Sequence, residues 1–555
     1  MKKNKTITKA LSGLLGLGLL FSCSEVTNND SQKSIFADKA PTTYVNPILP
    51  GYHPDPSICR AGDYYYMVNS SFEWYPAMPI HRSKDLVNWE LIGYGGSDPS
   101  KLQMPEWIGD SGGIFAVTIR YNKGTFYLIT THIGGGGNFF VTTTDPAGEW
   151  SAPVWIDAPG IDPSLFWDDD GRCYYIGHGR LNKEPQWRDQ QGAWMQELDL
   201  KTGKLIGQRK QLTHGHASNA TWTEGPHLYK VNGKYLLLVA EGGTGQYHAV
   251  TQFYSDNLWG PYEPSQINPV LTHRHLGNDN YIRCVGHADI IQTQNDEWWM
   301  VALGVRNFDG ESYLSRETFL VPMDFEITYG SPTIVVNKGK GMIEAEHPRP
   351  NLPWTPIPAI LEVDEFNGDK LDLMWNMLRS PKEKWYNLED GELKLNVRPA
   401  TVKDKANPSL LAQRLRDRYF ELNTTMKFES DSNTNDAAGI VMYRSSKDHI
   451  TLLKKGNEII LESTSHGEVR KVASAECASE KVELMVKSDG KNLTFSFKPE
   501  GQAKYTFSDT LPLIIIGENA GGQFNGPMVG VYATSFGESS ENVATFTSFA
   551  QMLQK

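Results

Sequence analysis

Cysteine is scarce in this chain, with five in 555 residues. Cys59, Cys173, Cys284 and Cys477 stand at spacings that suggest neither a zinc site nor a disulfide framework, so the fold has to be held by its cores. Past the N-terminus, no stretch approaches the roughly 18 consecutive apolar residues that a membrane span needs. Between 44 and 345 helical periodicity is almost missing, which excludes a helical bundle or solenoid there. Positive charge is also short. Lys and Arg number 53 against 65 Asp and Glu, and the net charge of −12 argues against nucleic acid or an anionic membrane surface as a partner.

What the chain does have is aromatic surface, with 15 Trp, 24 Tyr and 22 Phe. Flat apolar faces suit the stacking of sugar rings, although they also fill β-sheet cores. The first 23 residues read as a secretory signal: a basic start at Lys2, Lys3 and Lys5, an apolar core over 11–21, and "LFSC" closing at Cys23. That ending resembles a bacterial lipobox. It predicts a lipid on Cys23, a polar tether over 24–43, and an otherwise soluble protein held on the bacterial cell envelope, periplasmic or outer-surface, with no other membrane contact.

Five times between 50 and 300 a short apolar run is followed by a turn and an aromatic-rich strand: "AGDYYYMV", "NKGTFYLI", "DDGRCYYI", "VNGKYLLL" and "QNDEWWMV". The turn residues Gly62, Gly124, Gly171, Gly233 and Asp296 are 62, 47, 62 and 63 residues apart, about the length of a four-stranded propeller blade. The spacing predicts a five-bladed β-propeller over 44–345. A hinge over 346–358 with five prolines, "EHPRPNLPWTPIP", follows it. Alternating strands over 359–555 then predict an antiparallel β-sandwich of jelly-roll or concanavalin-like form. The chain is expected to be all-β.

Nine positions before the turn residue stand Phe115, Asp162, Glu224 and His287, and Asp55 stands seven before its own turn. In a propeller the first strand of each blade lines the axis, so these residues are expected to converge on one pocket. Gathering three acids there raises their pKa values and has little structural use. In "HPDPS" and "IDPSL" a proline after Asp55 and after Asp162 is expected to hold the chain extended and aim each carboxylate. Hydrolysis of a glycosidic bond needs one carboxylic acid to protonate the leaving oxygen and one carboxylate to activate water or attack the sugar, and a third can raise the pKa of the acid. The run "WDDDG", Asp168 to Asp170, reads as a solvated hairpin rather than a cation loop.

The segments "NPILPGYHPDPSICRAGDYYYMVNSSFEWYP", "HRSKDLVNWELIG", "GIDPSLFWDDDGRCYYIGHG", "EGPHLYKVNGKYLLLVAEGGT", "GHADIIQ" and "SRETFL" resemble glycoside hydrolase family 43, in particular its β-xylosidase and α-L-arabinofuranosidase members. The resemblance implies an inverting enzyme that needs no cofactor, with Asp55 as general base, Glu224 as general acid and Asp162 tuning its pKa. It implies that Arg316 contacts sugar hydroxyls, although Ser315 stands where the family usually has glycine. It makes Phe72, Thr244 and Phe524 pocket walls, with Phe524 lent by the sandwich and closing one end of the pocket, as exo action requires. Relatives often carry "GGIWAP", whereas this chain has "GGIFAV", which puts Phe115 in place of tryptophan and Val117 in place of proline. For His287 two readings stay open: a ligand of axial calcium or water, or a core histidine bonded to backbone. The expected substrate is a plant-derived oligosaccharide ending in xylose, with arabinofuranose as the alternative. A fructan hydrolase on a similar fold would carry "RDP", which does not occur. A non-catalytic, lipid-anchored glycan-binding protein is the alternative of a different class.

Overall fold

The computed structural model describes residues 40–328, 330–358, 360–429, 434–517 and 524–554. Everything below concerns the compact unit Thr42–Lys555. Among the described residues the regular elements are strands, apart from one turn of 3-10 helix at Leu513–Ile515. None of the described residues forms a helix long and apolar enough to cross a membrane.

Five antiparallel sheets follow one another along the chain. Blade 1 runs from Ser57–Ala61 to Glu90–Gly96, blade 3 from Ser164–Trp167 to Lys204–Thr213, blade 4 from Glu224–Val231 to Glu263–Pro264, and blade 5 from Ile282–Gln292 to Ser331–Val336. In blade 2 the innermost strand is broken into Gly113–Ile114 and Thr118–Asn122, both paired with Thr125–Ile133. All five turn residues singled out above take a left-handed backbone, with φ between 62° and 88°. The pairs Lys123–Gly124 and Asn232–Gly233 have positive φ at both positions, as a two-residue type I′ hairpin requires.

The innermost strands pack beside one another in a closed ring, that of blade 5 returning to that of blade 1. Side chains lace them together: Thr118 Oγ1 donates to Pro163 O at 2.9 Å, Ser164 Oγ to Pro226 O, and Ser57 Oγ to Asp289 Oδ2 at 2.6 Å. Asp289, fully buried, also takes Arg120 at 2.7 Å and the Tyr229 hydroxyl. Removing one partner from such a buried ion pair strands the other charge and costs about 3–5 kcal/mol. The N-terminal strand Thr43–Val45 pairs with Glu346–Pro348 at the start of the proline-rich segment, and Asn46 exchanges two hydrogen bonds with Leu320 of blade 5.

The rest of the chain forms two stacked sheets of eight and six strands. Their strands alternate inward and outward, as Phe420–Lys427 does, with Leu422, Leu484 and Phe546 of one sheet and Ile440, Leu452 and Val531 of the other in a common core. The sandwich is bonded to the propeller: Trp74–Tyr75 pairs with Met377–Leu378, and Arg414 Nε donates to Tyr52 O at 2.8 Å. The approach is so close that a side chain at Gly51 would run into Leu415 O.

Candidate active site

One pocket is lined by Asp55, Phe72, Phe115, Asp162, Glu224, Thr244, His287, Arg316 and Phe524, together with Ala116, Ile161 and His248. Every residue proposed above for catalysis or sugar contact is there. Phe115 and Ala116 occupy the break in the inner strand of blade 2, where Phe115 N–H donates to Thr131 O at 3.0 Å. Lys230 and Arg172 bind the acids of the "WDDDG" run, which forms a hairpin away from the pocket.

The backbone at the equivalent positions is unusual. Asp55, Asp162 and His287 have φ of 51°, 52° and 45°, and Phe72 has 48°. The extended conformation expected at Asp-Pro is therefore corrected: both aspartates turn to positive φ, a costly conformation held by contacts that over-determine it. Glu224 opens its strand instead, and the positive φ falls on Gly225, at 57°, beside a β-bulge. A side chain at Gly225 would press on the His287 ring, so glycine lets the two blades close at this point. Ser315, where glycine was the expected residue, has φ 65°, which accounts for the usual choice, and its hydroxyl donates to Asn525 O at 3.2 Å.

Asp55 is buried and fully engaged. Its Oδ2 accepts from Ser70 Oγ at 2.6 Å, its Oδ1 accepts from Arg316 at 2.8 Å, and His287 Nδ1 is 3.8 Å away. Burial pushes its carboxyl up, but Arg316, His287, Ser70 and His248 together outweigh burial and hold it below the usual carboxylate range. Asp162 and Glu224 behave oppositely and titrate as a pair. Burial raises Asp162 well above its ordinary value, with Glu224 and Asp55 adding to it. Burial and the charge on Asp55 push Glu224 up to about 8, and Arg316 opposes the shift in both. At neutral pH the site thus holds an ionised carboxylate facing a carboxyl pair that keeps a proton, the division of labour that general base and general acid catalysis require.

Arg316 joins the acids to the aromatic wall. Its guanidinium lies 5.5 Å from the ring centres of both Phe72 and Phe524, donates to Phe524 O at 2.9 Å, and reaches Thr244 Oγ1 at 3.5 Å. The rings of Phe72, Phe115 and Phe524 contact one another with centroids 5.2 to 5.9 Å apart. Burial holds His287 below its usual imidazole value despite the pull of Asp55, so it is neutral in the site. Among the described residues no group of three or more His, Cys, Asp or Glu side chains is arranged for a metal, and the carboxylate beside His287 is already taken by Arg316 and Ser70.

Ser70, His248 and the Arg120–Asp289 pair were not found by reading the sequence. Ser70 follows the strand Tyr64–Val68, and its N–H donates to Pro54 O at 3.3 Å, so a polar residue 15 positions after Asp55 was the available signal. His248 lies four residues beyond Thr244, its Nδ1 3.0 Å from Cys284 O.

Comparison with known proteins agrees with this geometry. Residues 44–327 match the family model "Glycosyl hydrolases family 43", and residues 363–551 match "Beta xylosidase C-terminal Concanavalin A-like domain". The chain is 37% identical over 516 residues to a xylosidase/arabinosidase of Butyrivibrio fibrisolvens, an alignment covering 91% of this chain and 98% of that one. It is 33% identical to a non-reducing end alpha-L-arabinofuranosidase of Bacteroides ovatus, covering 92% and 95%. Among solved structures, a xylan beta-1,4-xylosidase from Bacillus halodurans superposes with a TM-score of 0.85 at 31% identity, covering 92% of this chain and all of the other. The chain belongs to family 43 of the glycosyl hydrolases and is a glycosidase.

Proposed function

We propose that this glycosidase is inverting and exo-acting, and that it removes a terminal pentose from plant-derived oligosaccharides, β-1,4-linked xylose above all. The observation that carries the acid–base part of the reading is the split in protonation within one pocket: Asp55 ionised, and the Asp162–Glu224 pair holding a proton; inversion is what membership of family 43 implies. Asp55 takes a proton from the attacking water and Glu224 delivers one to the leaving oxygen. Asp162, buried beside Glu224 and titrating with it as a pair, is the residue that tunes the acid. Arg316 is placed to meet hydroxyls of the terminal sugar. The aromatic wall covers the ring, and Phe524 blocks the chain from continuing past it. The relatives named for xylosidase activity support xylose. The arabinofuranosidase relative supports arabinofuranose as the second reading.

The test is hydrolysis of 4-nitrophenyl β-D-xylopyranoside and α-L-arabinofuranoside side by side, with proton NMR following the first sugar released. A preference for the xyloside with α-xylose appearing first is expected. A preference for the arabinofuranoside would select the second reading, and β-xylose appearing first would remove the inverting mechanism.

Asp162→Asn removes the carboxyl with which Glu224 titrates as a pair. The fall in kcat/KM on the alkaline side, expected near pH 8, should shift, and kcat should drop. A profile that does not move would remove the tuning role.

Cys23 lies outside the described residues. We also propose that it carries the lipid that holds the enzyme on the cell envelope. In Triton X-114 partition, Cys23→Ser should shift the protein from the detergent to the aqueous phase, and identical partition would exclude the anchor.

A further inference from the structure

Phe524 belongs to the sandwich, yet it completes a pocket built by the propeller, and its backbone is held at both ends. Its N–H donates to Ser111 Oγ at 2.8 Å and its carbonyl accepts from Arg316 at 2.9 Å. Asn525, the next residue, is fully buried, and its Nδ2 donates to Glu73 Oε1 at 2.7 Å. The other oxygen of Glu73, Oε2, accepts the Ser111 N–H at 3.0 Å. Ser111 has a φ of 62°, and it bonds Glu73 through its N–H and Phe524 through its hydroxyl. Glu73 itself is fully buried, follows Phe72 directly, and lines no part of the pocket. Its backbone carbonyl accepts from Arg379 N–H at 2.9 Å, which ties it to the strand pairing between propeller and sandwich.

One carboxylate thus joins three segments: the one carrying Phe72, the loop carrying Ser111, and the sandwich segment carrying Phe524. We propose that Glu73 is a positioning residue that fixes Phe524 against Phe72 and Arg316, and so sets how tightly the terminal sugar is held. The inference rests on the reading of the pocket as the site for a terminal sugar. A carboxylate is suited to the place because it accepts at both oxygens, and the two groups facing it are both donors. Glutamine has the same shape but presents an NH2 to one of them, so the pair of links survives only if the Asn525 amide turns over to offer its oxygen.

The test is a double-mutant cycle on the 4-nitrophenyl glycoside that the enzyme cuts best, using Glu73→Gln, Phe524→Ala and the two combined, with melting followed in parallel. Glu73→Gln is expected to raise KM several-fold, up to about ten-fold, the scale of one lost hydrogen bond, with a much smaller change in kcat. In the Phe524→Ala background the same substitution should add little, because its effect passes through the ring that is already gone. Asn525→Ala cuts the link from the sandwich side and should reproduce the KM effect, which keeps the inference testable if Glu73→Gln does not fold. Equal KM effects in both backgrounds, or unchanged KM in both Glu73→Gln and Asn525→Ala, would overturn it. Absence of turnover by the unsubstituted enzyme on either glycoside would count instead against the proposed function.

Discussion

Glu224→Gln is expected to lower kcat on xylobiose by about 10²–10⁴-fold, the usual contribution of a positioned general acid, with KM within a few-fold of its starting value. That loss corresponds to about 2.7–5.5 kcal/mol of transition-state stabilisation. Glutamine keeps the volume and the place in the strand but cannot supply a proton, so the departing sugar would have to leave as an alkoxide. A 4-nitrophenolate leaves readily without protonation, so the loss on the aryl xyloside should be distinctly smaller than on xylobiose. Steady-state kinetics on the two substrates check both points. The alkaline fall near pH 8 should vanish with the acid that causes it. Similar turnover before and after substitution would end the assignment of Glu224.

Asp55→Asn is expected to cost as much in kcat and to act on the other side of the profile. The carboxylate held by Arg316 and Ser70 is ionised across the neutral range, so the activity it supports should be present above its depressed pKa and lost as pH falls through it. Asparagine cannot accept the proton of the attacking water, and the acid-side fall should flatten together with the rate. Stability is affected as well. Arg316 is buried, and loss of the partner charge leaves its guanidinium uncompensated, at a cost of about 3–5 kcal/mol at most, since the amide oxygen can still accept one bond. A pH series of kcat/KM and a thermal melt read the two effects separately. Retained turnover in a folded variant would remove Asp55 as base.

The blades were legible because each repeat carries its own hairpin chemistry. Gly124 and Gly233 sit at turns that need positive φ, and the aromatic strand after each turn advertises burial on both faces. The acids were legible because ring closure turns a constant phase along the chain into a common point in space. Residues that act across the ring left no such trace. Arg120 in "TIRYN" looks like the outward position of an edge strand, and only the meeting of inner strands from blades 1, 2, 4 and 5 gives it Asp289, Ser57 and His227 as neighbours. Glu73 was hidden for a related reason: its partners lie 38 and 452 positions away, and no spacing rule connects them. The positive φ at Asp55 and Asp162 was missed because the following proline favours an extended residue, and the contacts that overrule it are tertiary.

The pairing of Thr43–Val45 with Glu346–Pro348 sets an order of events during synthesis. A ribosome working at about 5–20 residues per second needs roughly 15–60 s to deliver the second strand after the first, by which time all five blades have been made and the ring awaits only this clasp. Even after closure the pocket lacks a wall, because Phe524 and Asn525 come from the sandwich, well beyond the propeller in sequence. The enzyme therefore gains its ring and its substrate pocket at two separate times, and the second waits until Phe524 and Asn525 have been made.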